Sequence, residues 1–180
     1  MRLEAALRLR SVRIVKEGYS DSMGRSVLGD MTEVFAEKPD AFKTLGQRNG
    51  IHFRVYDCKT GIHKGINLIC FRDSTAVGSL HITPKRIWLD DKTLQVGTAS
   101  SYLIPDMRGR GVMLGMYEWA ITVFNLISDS RQSRMSHNLW KRLGTQYNVK
   151  TIRQVKGGAY ETSPGAKWTD PEVLLLIENR

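Results

Sequence analysis

Apolar residues alternate with polar ones through the middle of the chain and recur at helical spacing in its second half. Ile51-His52-Phe53-Arg54-Val55-Tyr56 has the two-residue period of a half-buried strand. Ile66–Phe71 and Ala76–Ile82 flank Arg72-Asp73-Ser74-Thr75, which reads as a hairpin turn. Arg86–Leu89 and Thr93–Leu103 flank Asp90-Asp91-Lys92, a second hairpin, and Pro105 ends the last strand. The period then changes. Val112, Met116, Ala120 and Val123, with Trp119 and Phe124 widening the face, predict an amphipathic helix of ~14 residues. Leu126-Ile127-Ser128 reads as a short buried strand, and His137–Leu143 as a helix closed by Gly144. Tyr147–Val155 and Val173–Ile177 read as strands, the second after a loop from Glu161 to Pro171. In the first third, Val12–Val15 is β-prone. Asp30-Met31-Thr32-Glu33 has the form of a capping box, predicting a short helix to Lys38 that Pro39 stops.

This order predicts one α/β (α+β) domain over residues 1–180, with a mixed sheet. Ile66–Phe71 and Leu126–Ser128 read as buried on both faces, so helices must flank that sheet. The length of 180 residues and the 41% hydrophobic content suit such a domain. No stretch approaches the ~20 apolar residues that span a bilayer, so no membrane contact is expected. Met1–Arg13 carries four arginines and no apolar block, so no export signal is read there, only a solvated edge strand or short helix. Cys58 and Cys70 stand far apart and outside any Cys-x-x-Cys pair, which fits a reducing, cytoplasmic setting. Cys70, inside a buried strand, is expected to be an inert thiol. Histidines 52, 63, 81 and 137 show no ligand spacing, so no metal is expected. The net charge of +9 favours an anionic partner: a phosphorylated cofactor, a nucleic acid or an acidic protein.

Candidate chemistry concentrates in Tyr102-Leu103-Ile104-Pro105-Asp106-Met107-Arg108-Gly109-Arg110-Gly111-Val112. A strand ends, glycines follow, and an amphipathic helix begins. Glycines let backbone approach a ligand, and the free N–H groups of a helix start attract an anion. Arg108 and Arg110 add charge. The spacing excludes a P-loop and a dinucleotide-binding Gly-x-Gly-x-x-Gly loop.

The run Tyr102–Ala120 resembles the acetyl-CoA signature of the GNAT N-acetyltransferase superfamily, Arg/Gln-x-x-Gly-x-Gly/Ala, through Arg108 and Gly111; the last position is Met113 here. Asn138–Gly144 is similar to the family's later helix, Leu-Tyr-x-x-Leu-Gly, and Ser128–Leu143 further resembles acetyltransferase-like proteins of some bacteriophages, which would put the chain in a host cytoplasm. The resemblance implies a mostly antiparallel sheet of about six to seven strands, splayed between its fourth strand, Gln95–Leu103, and its fifth, Leu126–Ser128. It implies acetyl-CoA as a substrate in that gap. Ser101, Tyr102 and Leu103 would lie along the pantetheine and thioester, and Met107, Arg108, Gly109, Arg110, Gly111 and Val112 around the pyrophosphate. The amine of a protein or small molecule would attack the thioester directly. Trp140 stands where relatives carry the tyrosine acid, and is expected against the cofactor. For proton transfer the remaining candidates are Asp129, Tyr147 and Ser128, with His81 and His137 as further bases.

Arg131–Arg153 is basic throughout, with Trp140 and Tyr147 inside it. Two other readings follow: a GNAT-like acyl-CoA-binding protein that acts by contact with a host protein, and a nucleic-acid-binding module whose loop cradles a backbone phosphate. The final strand offers an edge for pairing with a second copy.

Overall fold

A computed structural model describes residues 13–14, 17–61, 63–129, 131–168, 170 and 172–179. The chain runs β1 (Arg13–Ile14), α1 (Glu17–Glu37), β2 (Lys43–Arg48), β3 (Ile51–Cys58), β4 (Gly65–Arg72), β5 (Thr75–Leu89) and β6 (Lys92–Leu103). It continues through α2 (Val112–Val123), β7 (Leu126–Ser128), β8 (Arg131–Gln132), α3 (Arg134–Leu143), β9 (Val149–Gln154), β10 (Tyr160–Thr162) and β11 (Val173–Ile177). Residues 1–12 and Val15 lie outside the described residues, so of the first two expectations only the strand at Arg13–Ile14 is met with structure.

Nine strands form one sheet in the order β10-β9-β11-β7-β6-β5-β4-β3-β2, and β1 pairs separately with β8. The sheet is mixed and mostly antiparallel, but larger than expected. β2 and β10 account for the excess, and neither has the pattern of a buried strand: β2 is Lys-Thr-Leu-Gly-Gln-Arg with only Leu45 half-buried. β5 is one strand of 15 residues where two were expected. Pro84 does not break it. β4 pairs with β5 only as far as Ile82, so the missing N–H of Pro84 falls on the side that β4 has already left.

α1 covers one face, with Leu28 and Met31 packed on Phe42, Ile69, Phe71 and Tyr102. α2 and α3 cover the other, setting Met116, Tyr117, Ala120, Trp140 and Leu143 over the sheet. β4 is therefore buried on both sides, Leu68 and Cys70 toward α2 and Ile69 and Phe71 toward α1. Burial pushes the Cys70 thiol up to about 12, which keeps it protonated and inert.

The capping-box reading of Asp30 is overturned, because α1 already begins at Glu17. Asp30 instead meets His63 Nε2 at 2.9 Å. Thr32 donates to the Leu28 carbonyl at 2.8 Å and accepts the Ala76 N–H at 3.0 Å, a mid-helix hydroxyl tying α1 to β5. α1 also rests on Tyr102 through Gly24, where a Cβ would lie 2.1 Å from the ring.

The far end of the sheet curls. β10 pairs with β9 and also with β5, Tyr160 opposite Leu89. The path β5–β6–β7–β11–β9–β10 thus closes on itself around Ile87, Leu89, Val96, Ile127, Ile152 and Leu176. β11 lies between β9 and β7. The final strand is therefore no edge, and the expected pairing of a second copy there is overturned.

Candidate functional site

β6 and β7 run parallel and pair only from Gly97–Leu126 to Ala99–Ser128; β7 then ends while β6 continues to Leu103. The Gly97 N–H donates to Asn125 O at 2.7 Å, which fixes the side on which odd-numbered β6 residues carry their N–H and C=O groups. The N–H groups of Ser101 and Leu103 therefore face the gap beyond β7. The Leu103 carbonyl is taken, accepting from Arg108 Nε at 3.0 Å.

The chain leaves β6 through one 3₁₀ turn at Pro105–Met107 and reaches α2 through two left-handed residues, Gly109 and Gly111, both at φ 75°. Any residue with a Cβ would be strained there. Gly111 is the N-cap of α2 and offers no side chain to cap it. The first return bond is Gly115 N–H to Gly111 O at 3.1 Å. The N–H groups of Val112, Met113 and Leu114 thus point out of the helix without intrahelical acceptors, at the positive end of its dipole.

These groups line a cavity of about 410 Å³ between the two helices. Ser101 and Leu103 form one wall, Gly109 and Gly111 the mouth, and Met113 and Leu114 the α2 side. The first turn of α3 closes it with Ser133, Met135 and Ser136, and Arg142 stands further along the same helix. α3 starts at Arg134, before the expected His137, because Ser133 caps it by accepting the Ser136 N–H at 3.1 Å. That serine was the available signal for the α3 wall, which sequence reasoning missed. Gly144 does end α3, but in right-handed conformation; a Cβ there would lie 2.6 Å from Trp168, so close packing is what requires the glycine.

Ser101, Leu103, Arg108, Gly109, Gly111 and Val112 are brought together as expected. Four others are not. Tyr102 points to the opposite face and donates to Asp21 at 2.7 Å. Met107 and Arg110 line a different cavity on the other flank of α2. Trp140 is 0% exposed in the core, edge-on to Tyr117 at 5.9 Å, one 100° helical step from the cleft-lining Leu139. Arg108 is less free than its spacing implied. Its Nη2 meets Asp21 at 3.2 Å, so it clamps the loop to α1 while facing the cleft. The Asp21 carboxyl sits below its ordinary value because Tyr102, then Arg25, donate to it.

The proposed proton-transfer groups scatter. Ser128 is 2% exposed and its oxygen accepts the Leu175 N–H at 3.0 Å, joining β7 to β11. Tyr147 borders a smaller cavity by Ile121 and Glu178, away from the loop. His81 pairs with the Lys64 carbonyl at 3.0 Å. Burial lowers the pKa of His137, which therefore stays neutral near pH 7. Asp129 is half-buried and its charge is felt by the Tyr117 hydroxyl. Tyr117 itself was missed, hidden among the apolar residues of α2. Its hydroxyl lies 3.3 Å from Ser101 Oγ, behind the cavity wall. Burial pushes it up to about 12, with the Asp129 charge acting the same way, so the phenol remains a neutral donor.

Among the described residues no three His, Cys, Asp or Glu side chains gather to hold a metal, and no helix is long and apolar enough to cross a membrane. No known family pattern matches the chain, and no curated protein sequence matches it. Among solved structures it is similar to a mutant of the AtaT toxin bound to the C-terminus of the antitoxin AtaR and acetyl-CoA. That likeness has 13% identity, covers 62% of this chain and 67% of the other, and has a TM-score of 0.42, below the level of a shared fold.

Proposed function

We propose that this chain binds acetyl-CoA in the cleft between β6 and β7 and transfers its acetyl group to an amine. One observation carries the reading: the parallel pair parts beyond Ala99 and Ser128, and the gap opens onto the uncapped first turn of α2. Main-chain donors thus line a channel from the strand to the helix end. A pyrophosphate suits the N–H groups of Val112, Met113 and Leu114, whose partial charge and free hydrogens complement an anion. A pantetheine amide suits the gap-facing groups of β6. The cavity volume of about 410 Å³ leaves the adenosine at the rim, near Arg142.

In this reading the amine attacks the thioester carbonyl while both substrates are bound, so proximity supplies much of the rate. The N–H of Ser101 or Leu103 donates to the oxygen as its negative charge develops. The C–S bond then breaks, the sulfur takes a proton, and the nitrogen loses one. Ser101 sets a hydroxyl on the β6 wall of the cavity. Tyr117 donates to its oxygen, which leaves the serine hydrogen free to turn toward the sulfur. A phenol near 12 is too weak an acid to protonate a thiolate outright, and a serine hydroxyl is weaker still, so the proton that the nitrogen loses is the one the sulfur gains. Ser101 hydrogen-bonds the leaving sulfur, and Tyr117 orients Ser101 while keeping its own proton.

A second reading has its own support. The described cavity wall contains no carboxylate and no histidine, which favours acyl-CoA binding without rapid turnover. Titration calorimetry with acetyl-CoA tests the binding that both readings need; absence of saturable heat removes both. Thiol release with pooled amines then separates them. Turnover that falls at least tenfold in Ser101→Ala supports transfer, and saturable binding without release supports the second reading.

A further inference from the structure

A cavity of about 520 Å³ lies on the other flank of α2. It is walled by β2, β3, β4 and the α2 stripe Val112, Gly115, Met116 and Trp119. These four positions recur at three and four residues, so they share one helix face; Met113 and Leu114, in the cleft, belong to another. Leu68 and Ser101 stand in the same row of the sheet, with Leu80 between them under the helix. Two interstrand spacings, roughly 10 Å, separate the two cavities.

The floor is apolar, with Leu45, Phe53, Leu68 and Trp119. The rim carries Arg48, Arg72 and Arg110, and no acidic residue lines the cavity. None of the three arginines forms an ion pair among the described residues. Arg72 reaches over the wall, with Nη1 4.0 Å from the Met107 sulfur. Unpaired cations gathered over a greasy floor repel one another, and an anion relieves that repulsion. Gly115 adds a second argument. It sits inside a helix, where glycine is disfavoured against alanine, and a Cβ there would meet nothing within 4 Å. The notch it leaves opens into the cavity.

We propose that this cavity is a second ligand site, for a small amphipathic monoanion: a carboxylate held by the arginines, with an aliphatic or aromatic body on the floor. The volume lies in the range of small-molecule sites, and the guanidinium fork matches a carboxylate in geometry as well as charge. The site stands whether or not the β6–β7 cleft takes acetyl-CoA, since it shares only Gly111 and Val112, at the start of α2, with that cleft.

Titration calorimetry on the full chain with decanoate, decanol and sulfate tests it. One saturable decanoate site is expected, with decanol and sulfate each at least tenfold weaker. R48Q/R72Q, two changes at exposed positions, should weaken decanoate at least tenfold. Gly115→Leu, which fills the notch from a helix that tolerates leucine, should abolish binding; circular dichroism checks that both variants fold. The proposal is overturned by no saturable heat with decanoate, by equal affinity for decanol or sulfate, or by unchanged decanoate affinity in either folded variant.

Discussion

The two flanks of α2 obtain their polarity from different sources. Toward β7 much of it comes from the main chain, through the gap-facing N–H groups of β6 and the open turn after Gly111, with Ser101, Arg108 and Arg142 beside them. Toward β3 it comes from side chains, the guanidiniums of Arg48, Arg72 and Arg110. A main-chain site keeps its donors whichever side chains surround it and depends on backbone path, although a charge set beside it can still repel the ligand. A side-chain site can be dismantled one residue at a time while the backbone stays put.

The sharpest way to break the comparison is Gly97→Val. A Cβ at Gly97 would stand 2.3 Å from Ile82 Cγ2, where β6 meets β7. We expect a loss of about 3 kcal/mol in urea denaturation, with acetyl-CoA binding lost and decanoate binding kept below the transition. Retained acetyl-CoA binding would dissociate the cleft from the strand pairing. Next in size is Leu114→Glu, which sets a negative charge at the open turn of α2. Acetyl-CoA affinity should fall about tenfold, ~1.4 kcal/mol, with decanoate unaffected in the same calorimeter.

Tyr117→Phe should cost about 1 kcal/mol near neutral pH, the worth of one buried hydrogen bond. The raised phenol also fixes a sign. An unfolded tyrosine ionises near 10.0 and the folded one near about 12, so wild-type stability is lost as pH rises through that window. Thermal melts at pH 9 and 11 should bring the two proteins closer at the higher pH; a constant difference would remove the burial argument. Gly115→Ala should stabilise by about 0.5–1 kcal/mol, because the added methyl meets open space and the helix gains propensity. Smallest is Asp21→Asn, which loosens the clamp on Arg108. The Asp21 carboxyl is depressed below 3.8, so its contribution is present above the ordinary carboxylate range and lost as pH falls through the shifted value. The variant should melt below wild type at pH 6 and level with it in strong acid.

Much of the sheet was legible because burial imposes a period. β3, β4, β6 and β7 each carry an alternating or unbroken apolar run, and α2 a helical one. β2 and β10 were not legible, since they are held by the register of their partners and bury little. The loop glycines were readable from chemistry alone, because only left-handed turns need them at that density. The start of α3 was readable from Ser133 and was missed, whereas the residues of α3 that face the cleft, and Tyr117, were not readable. Which face of a helix meets a cleft depends on a single 100° step, and that step sends Leu139 into the cavity and Trp140 into the core.

The closure at Tyr160 and Leu89 has a consequence for how this protein behaves in a crowd. A β-sheet grows by recruiting strands at an unpaired side, and β10 uses up that side at one end of the large sheet. Among the described residues its open side is β2, guarded by Lys43 and Arg48. Leu45, Gly46 and Arg48 of that strand also form the lip of the arginine cavity. An occupant there would steady the open edge strand of the large sheet, so ligand binding and the exposure of that edge would be coupled.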